Sequence, residues 1–181
     1  MMVIQAPARP RRSASHALIL GLLAAVVLAL APARAEARPD VGDRAPEFVA
    51  VKDEKGRKVR MRAYKKGWVV MTIGGSWCKP CRKELPAWDK LAKAYKPRGV
   101  TFIALNGDAN VSEGKAFMKE AGVKNMVKGY DPDQSSISLW DPEHMPTTYV
   151  VDPKGIVRHV HPTYESGDED KLAKALDALL K

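Results

Sequence analysis

Hydrophobic and polar positions after residue 35 alternate between the period of a strand and the period of a helix. Residues 68–73 and 100–105 are continuous apolar or β-branched runs, which are typical of buried strands. The pattern between them predicts a helix that begins near Cys78 and ends by Gly99. Its apolar residues recur at helical spacing, at Leu85, Trp88, Leu91, Ala92 and Tyr95. Pro86 lies inside this helix and should kink it.

The second half of the chain continues the alternation. We expect a helix over 112–121, capped by Ser112 and followed by Gly122, and a short strand over 126–130. The remaining predicted elements are a helical turn at 135–140, a hairpin of strands 147–151 and 156–160, and an amphipathic helix over 171–180. Nearer the start, runs 48–52 and 58–62 flank a turn sequence and predict another hairpin. This order indicates an α/β domain built around one mixed sheet.

The first 35 residues form a segment of different character. Three of its four arginines come first, at Arg9, Arg11 and Arg12, and the fourth is Arg34. Residues 17–30 are then apolar throughout, and small residues occupy Ala33 and Ala35. This succession is typical of a secretory signal peptide. We therefore expect cleavage after Ala35, which leaves a single domain over 36–181, with an uncleaved membrane anchor as the alternative.

Charge and composition exclude some functions. The chain carries +9, and this falls to +5 for residues 36–181 once the four arginines of the leader are removed. The lysines are spread along the sequence, so we expect no nucleic-acid partner. We expect association with a membrane only if the leader stays attached. Export predicts an extracytoplasmic protein, located in the periplasm.

The two cysteines, Cys78 and Cys81, admit three explanations. A structural disulfide that closes only two intervening residues removes little entropy from the unfolded chain. A zinc site requires about four ligands, and no histidine stands at zinc-finger spacing from the pair; those after the leader are His144, His159 and His161. A redox couple fits best in an exported protein.

The position of the pair favours redox chemistry. Cys78 falls where a strand gives way to a helix, so the helix dipole and the unpaired N–H groups favour its thiolate. Lys79 adds positive charge. Cys81 lies over the same helical face, within reach of a disulfide. We therefore expect Cys78, nearer the helix end and the solvent, to attack and Cys81 to resolve the mixed disulfide.

Glu84 follows Cys81 by one helical turn. A carboxylate on an exposed helix face is usually only a solvated charge. A partly buried carboxylate beside thiols can instead hold or pass a proton as Cys81 becomes a thiolate. Glu84 is thus a candidate catalytic residue.

The sequence resembles the thioredoxin superfamily at several points. Residues 77–81, Trp-Cys-Lys-Pro-Cys, resemble its W-C-x-P-C site, and Pro86 matches the proline that kinks its active-site helix. Met145-Pro146-Thr147 resembles its cis-proline loop, so we expect a cis bond between Met145 and Pro146. Residues 82–86, Arg-Lys-Glu-Leu-Pro, resemble the extracytoplasmic TlpA/ResA branch, in which a glutamate stands at the position of Glu84.

This resemblance implies a fold and a set of site residues. The fold would be a thioredoxin-like mixed sheet flanked by helices, with an N-terminal β-hairpin and a helix-strand insertion within 110–130. Trp77, Met145 and Pro146 would contact substrate, and the redox-active disulfide would need no cofactor or metal. The chain departs from the branch at Gly74 and Gly75, where aromatic residues are usual, and these glycines would change the approach to Cys78.

The resemblance also implies a function. The protein would be a thiol–disulfide oxidoreductase that reduces protein disulfides through Cys78 and Cys81. Its partners would be thiol-containing proteins of cytochrome c maturation or oxidase assembly and a membrane electron donor of the CcdA or DsbD kind. The alternative is a copper-binding protein that uses the same cysteines, with copper also conceivable at His159 and His161, which should point the same way on one strand. A peroxidase of the superfamily fits the cysteine spacing poorly.

Overall fold

The computed structural model describes residues 38–64 and 66–181, in which five strands form one sheet of order β3-β2-β1-β4-β5. The strands are β1 (Trp68–Gly74), β2 (Val100–Asn106), β3 (Val127–Tyr130), β4 (Thr147–Val151) and β5 (Val157–Pro162). β1, β2 and β3 run parallel, whereas β4 is antiparallel to both β1 and β5. The predicted mixed sheet is confirmed.

Four α-helices accompany the sheet in the described part of the chain. They are α1 (Lys79–Tyr95), α2 (Val111–Glu120), α3 (Ser135–Trp140) and α4 (Asp168–Leu179). Short 3-10 helices occupy Met61–Tyr64 and Lys96–Arg98. Gly99 ends the second of these with a positive φ of 77°, a conformation that glycine adopts without strain.

Alternation along the strands produces a core on each face of the sheet. One core contains Val70 of β1 and Val150 of β4, and the buried stripe of α1 covers them. This stripe includes Leu85, Trp88, Ala92 and Tyr95, and α4 adds Leu172 and Leu176. Burial of each large apolar side chain contributes about 1.5–3 kcal/mol, so α1 is fixed firmly to the sheet end where its cysteines lie.

The other face is covered by α3 and the segment before β1. Trp140 of α3 packs beside Tyr149 of β4, with 4.8 Å between ring centroids. Phe48 and Val51 come from the N-terminal segment and join the same core as Met71 of β1. This core supports the sheet from behind and lies away from the helix that carries the cysteines.

The predicted N-terminal hairpin is shorter than expected. Antiparallel pairing links Lys52 to Lys58, and the N–H of Val59 donates to the carbonyl of Val51 at 3.0 Å. The predicted second strand then turns into the 3-10 helix Met61–Tyr64. The reason lies in Glu47, whose carboxylate accepts hydrogen bonds from the N–H of Met61 (2.5 Å) and of Arg62 (3.1 Å) and so caps a helical turn.

Two predicted helix starts were also wrong. α2 is capped by Asn110, whose side chain accepts a hydrogen bond from the N–H of Ser112 at 2.9 Å, so Ser112 lies inside the helix. α4 begins at Asp168 rather than Lys171. Its first turn is acidic and has little apolar periodicity, but acidic residues are stabilised at a helix N-terminus by the helix dipole.

The predicted signal peptide lies outside the described residues. The described part of the expected domain, from residue 38 onward, carries the whole sheet and all four helices. None of the helices in residues 38–64 and 66–181 is both long and apolar enough to cross a membrane.

Candidate active site

The cysteine pair lies where β1 gives way to α1. Cys78 is the N-cap residue of α1, with extended backbone angles, and it forms a disulfide with Cys81, with 5.3 Å between the two α-carbons. The N–H of Cys81 donates to the Cys78 sulfur at 3.3 Å. Pro80 occupies the first turn, where its missing N–H leaves no bond unmade. The sulfur of Cys78 therefore lies at the positive end of the helix dipole, which stabilises a negative charge on it.

Exposure does not distinguish the two cysteines. We expected Cys78 to lie nearer the solvent, but both cysteines are buried in the disulfide form, with 4% of Cys78 and 2% of Cys81 exposed. Trp77, directly before the pair, is 55% exposed. The asymmetry between the sulfurs therefore comes from their position relative to the helix end.

Close packing requires a glycine at position 74, and the indole of Trp77 lies against Gly75. A Cβ at Gly74 would lie 2.4 Å from the Cys81 sulfur, and a Cβ at Gly75 would lie 2.6 Å from Nε1 of Trp77. Real Cβ contacts are never this short. The departure from the aromatic residues of the TlpA/ResA branch thus gives a backbone that touches both the disulfide and the tryptophan.

Glu84 is buried beneath the disulfide, with 1% of its surface exposed. Its Oε2 accepts a hydrogen bond from the hydroxyl of Thr72 at 2.7 Å, and its Oε1 accepts one from Thr148 at 2.8 Å. Burial raises the pKa of Glu84 to about 8, although these hydrogen bonds oppose the rise. The carboxyl therefore titrates in the same range as an ordinary cysteine thiol, near 8.5.

Glu84 and Cys81 line one small cavity. Its volume is about 10 Å³, and Thr72 and Gly74 are also among its lining residues. A space of this size corresponds to roughly one water molecule. The predicted proximity of Glu84 to the cysteine pair agrees with their place in the lining of one cavity.

Trp88 extends the hydrogen-bond chain at Glu84. Its indole N–H donates to Oγ1 of Thr148 at 2.8 Å, and the Thr148 hydroxyl donates to Oε1 of Glu84 at 2.8 Å. Because a hydroxyl can both donate and accept, Thr72 and Thr148 can each serve the ionised and the protonated carboxyl.

Sequence reasoning missed Thr72 and Thr148. They stand directly opposite each other in the β1–β4 pairing, and both side chains reach Glu84 on α1. The available signal was a hydroxyl inside each of two otherwise apolar strand runs, since buried polar groups need a partner.

Thr148→Val tests this arrangement. Valine keeps the volume but removes a hydrogen bond that stabilises the ionised carboxylate. The pKa of Glu84 should therefore rise further above its value of about 8. Carbon-detected NMR titration of the Glu84 carboxyl measures this directly, with Thr147→Val as the matched control, because the Thr147 hydroxyl donates to the carbonyl of His144 instead. An unchanged midpoint in Thr148→Val would contradict the assigned hydrogen bond.

The loop before β4 lies beside the cysteine pair. The bond between Met145 and Pro146 is cis, as predicted. Thr147, the first residue of β4, pairs with Ile73 near the end of β1, and this pairing brings Pro146 to the edge where Gly74 contacts Cys81. Met145 is partly buried and packs against the core that contains both cysteines. The carbonyl of Pro146 accepts a hydrogen bond from Thr163 at 2.7 Å.

None of the hydrogen bonds and ion pairs of the three described histidines involves a cysteine. His159 and His161 lie on β5 with their rings stacked at 6.2 Å, as the strand period predicts, and His161 pairs with Asp168 at 3.0 Å. His144 is exposed, 4.0 Å from Glu143. Residues 38–64 and 66–181 contain no group of three or more His, Cys, Asp or Glu side chains that could hold a metal ion.

Comparison with known proteins agrees with this geometry. The profile of the AhpC/TSA family matches residues 41–160. The chain belongs to the AhpC/TSA family. This family member is 36% identical over 117 residues to the thiol-disulfide oxidoreductase ResA of Bacillus thuringiensis (strain Al Hakam), a match that covers 65% of the chain and 66% of that protein. It is 33% identical to ResA of Bacillus subtilis (strain 168), over 64% of each chain.

Solved structures give the same result. A putative thiol:disulfide interchange protein DsbE from Chlorobium tepidum superposes with a TM-score of 0.74 and 26% identity, over 79% of this family member and 99% of that chain. The fold is therefore thioredoxin-like, as the sequence predicts. Cys78 and Cys81 form a disulfide at the start of α1, and the relatives are thiol–disulfide oxidoreductases. This family member is therefore a thiol–disulfide oxidoreductase.

Proposed function

We propose that the protein reduces disulfides of other proteins outside the cytoplasm by cycling between a Cys78–Cys81 dithiol and disulfide. The observation that carries the proposal is the arrangement of a disulfide on the first turn of α1 above a buried carboxyl whose pKa is about 8. The helix start favours a thiolate at Cys78, and Glu84 can exchange a proton with Cys81.

The proposed reaction has two exchange steps. The thiolate of Cys78 attacks one sulfur of the substrate disulfide, forms a mixed disulfide and releases the other substrate sulfur as a thiolate, which takes up a proton. Cys81 then passes its proton toward Glu84 and attacks the sulfur of Cys78. The second substrate sulfur leaves, the Cys78–Cys81 disulfide forms, and two electrons have moved to the substrate.

Substrate docking would use the surface around the pair. The exposed indole of Trp77 offers an apolar platform, and the backbone of Met145 at the cis-Pro146 loop can pair with an extended substrate segment. Met145 and Pro146 come from the loop before β4, whereas Trp77 precedes α1, so a bound segment would lie between them. These three residues are the proposed substrate contacts.

Location and partners complete the proposal. Residues 1–35 would direct export to the periplasm and be removed after Ala35, and an oxidising compartment then requires a supply of electrons. A membrane donor of the CcdA or DsbD kind would reduce the Cys78–Cys81 disulfide after each turnover. Substrates would be apocytochromes c with C-x-x-C-H cysteines or proteins of oxidase assembly, as the resemblance of residues 77–86 to the TlpA/ResA branch implies.

Trapping tests both the chemistry and the substrate class. Cys81→Ser leaves the attacking thiol but removes the resolving one, so the mixed disulfide should accumulate. Full-length Cys81→Ser protein, expressed with its leader and alkylated during lysis, should carry a disulfide-linked partner that reducing agent releases. Mass spectrometry identifies the partner, and Cys78→Ser is the matched control that should carry none. Equal capture by both variants would contradict the proposed reaction.

A further inference from the structure

A buried carboxylate holds the loop that leads to the cysteines, residues 75–77, hereafter the active-site loop. The backbone N–H of Ser76 donates to both carboxylate oxygens of Asp108 at 3.1 Å, and the Ser76 hydroxyl donates to Oδ1 at 2.7 Å. Next to it, the N–H of Gly107 donates to the carbonyl of Gly74 at 2.9 Å. The segment that follows β2 therefore fixes the entrance to the loop.

Asp108 is itself locked in place. It is 4% exposed, and Asn106, which is fully buried, donates from Nδ2 to its Oδ2 at 2.7 Å. Asn106 also accepts from the N–H of Asp108 at 3.2 Å. α2 presses on this pair, because a Cβ at Gly114 would lie 2.2 Å from Oδ1 of Asn106. A buried charge is costly unless it is fully hydrogen-bonded, and the free oxygen positions of Asp108 are directed to Ser76.

The loop carries the groups that meet the substrate. The N–H of Cys78 donates to the carbonyl of Gly75 at 3.0 Å, which forms a tight turn around Ser76. On the same turn the indole of Trp77 lies against Gly75 and remains 55% exposed. The orientation of the Ser76 peptide therefore sets the direction in which both Trp77 and Cys78 leave the loop.

We propose that Asp108 is a positioning residue for protein substrates. It acts through Ser76 and fixes the position of the Trp77 indole relative to the Cys78 sulfur. A protein substrate therefore does not have to order the active-site loop when it binds. Ordering of a mobile loop on binding weakens affinity. This inference rests on the disulfide exchange of the proposed function and is independent of its direction.

Steady-state kinetics with two disulfides separate this role from one in stability alone. Insulin is a protein disulfide that needs the docking surface, and DTNB is a small aromatic disulfide that does not. Asp108→Ala should raise KM for insulin about tenfold, as expected for one hydrogen bond to a charged group. Ser76→Ala should raise it about threefold, since it removes only the hydroxyl bond and the Ser76 N–H still donates to both oxygens of Asp108. Rates with DTNB should stay within about twofold of wild type.

The double variant and the controls complete the test. Asp108→Ala with Ser76→Ala should behave as Asp108→Ala alone, because both changes break the same contact. Asp108→Asn keeps one acceptor oxygen and should give an intermediate KM. Glu113→Gln removes an exposed charge of the same sign on α2 and should leave both substrates unaffected. If Asp108→Ala does not fold, Ser76→Ala and Asp108→Asn decide.

Several results would overturn the proposal. One is an insulin KM within twofold of wild type in both Ser76→Ala and Asp108→Asn. Another is a double variant in which the two increases in KM multiply. The third is an equal loss of rate with insulin and with DTNB. A wild-type protein inactive on both disulfides would instead refute the proposed function. Acrylamide quenching of tryptophan fluorescence then reads the loop without activity, because Trp77 is the one exposed indole among the four tryptophans. Increased quenching in Ser76→Ala supports the positioning role and unchanged quenching refutes it.

Discussion

Cys78→Ser should abolish disulfide exchange, with a loss of about a thousandfold or more, the scale seen when a nucleophile is removed. A serine hydroxyl at the N-cap of α1 can still accept the N–H of Cys81, so the helix start is preserved. It does not ionise near neutral pH and forms no mixed disulfide. Reduction of insulin by the pre-reduced variant measures the loss, and a residual rate within tenfold of wild type would mean that Cys81 attacks instead.

The protein should still fold when both cysteines are replaced. The Cys78–Cys81 disulfide closes a loop of four residues, so its removal costs about 2 kcal/mol in the chain-entropy account. Cys78→Ala with Cys81→Ala should therefore unfold cooperatively at a moderately lower temperature, while exchange is absent. A double variant without a folded state would show that the bond is structural.

Glu84→Gln should slow exchange with a protein disulfide by at least about tenfold, because general acid–base catalysis contributes about 10²–10⁴. It should also lower the apparent pKa values of the thiols. Above pH 8 the Glu84 carboxylate is ionised, and its charge beside Cys81 opposes thiolate formation. Glutamine keeps the shape and removes that charge. A pH titration of thiol reactivity decides, and superimposable curves would exclude Glu84 from the mechanism.

The same residue makes stability depend on pH. Burial raises the folded-state pKa of Glu84 to about 8, whereas the ordinary value is 4.5. Folding therefore favours the protonated form, and its contribution is complete below pH 4.5 and is lost as pH rises through 8. The total is on the order of 5 kcal/mol. Urea unfolding at pH 5 and pH 9 should show this loss of stability in wild type. An equal loss in Glu84→Gln would mean that Glu84 does not cause it.

Local sequence patterns predicted most of the helices and strands and the position of the redox site. The apolar runs located β1 and β2, and helical spacing placed Glu84 one turn below Cys81, where the structure has it. The cis bond before β4 followed from the resemblance. These features depend on residues close in sequence or on a motif of fixed length, so one sequence was sufficient.

Features that depend on tertiary contact were not predicted. Thr72 and Thr148 are 76 positions apart and meet only because β4 pairs antiparallel with β1. Asp108 reaches Ser76 because two parallel strands end at the same edge. The contact at Gly74 was also not predicted: a Cβ there would lie 2.4 Å from the Cys81 sulfur, a closeness that depends on where β1 and α1 meet.

Competitive alkylation tests the assignment of Cys78 as the attacking thiol most directly. Reduced wild-type protein is treated with a limiting amount of iodoacetamide near pH 6, quenched and mapped by mass spectrometry. The helix start should keep Cys78 partly ionised, while Cys81 remains protonated against Glu84 and Gly74. The account predicts that Cys78 is modified well before Cys81, and preferential modification of Cys81 would contradict it.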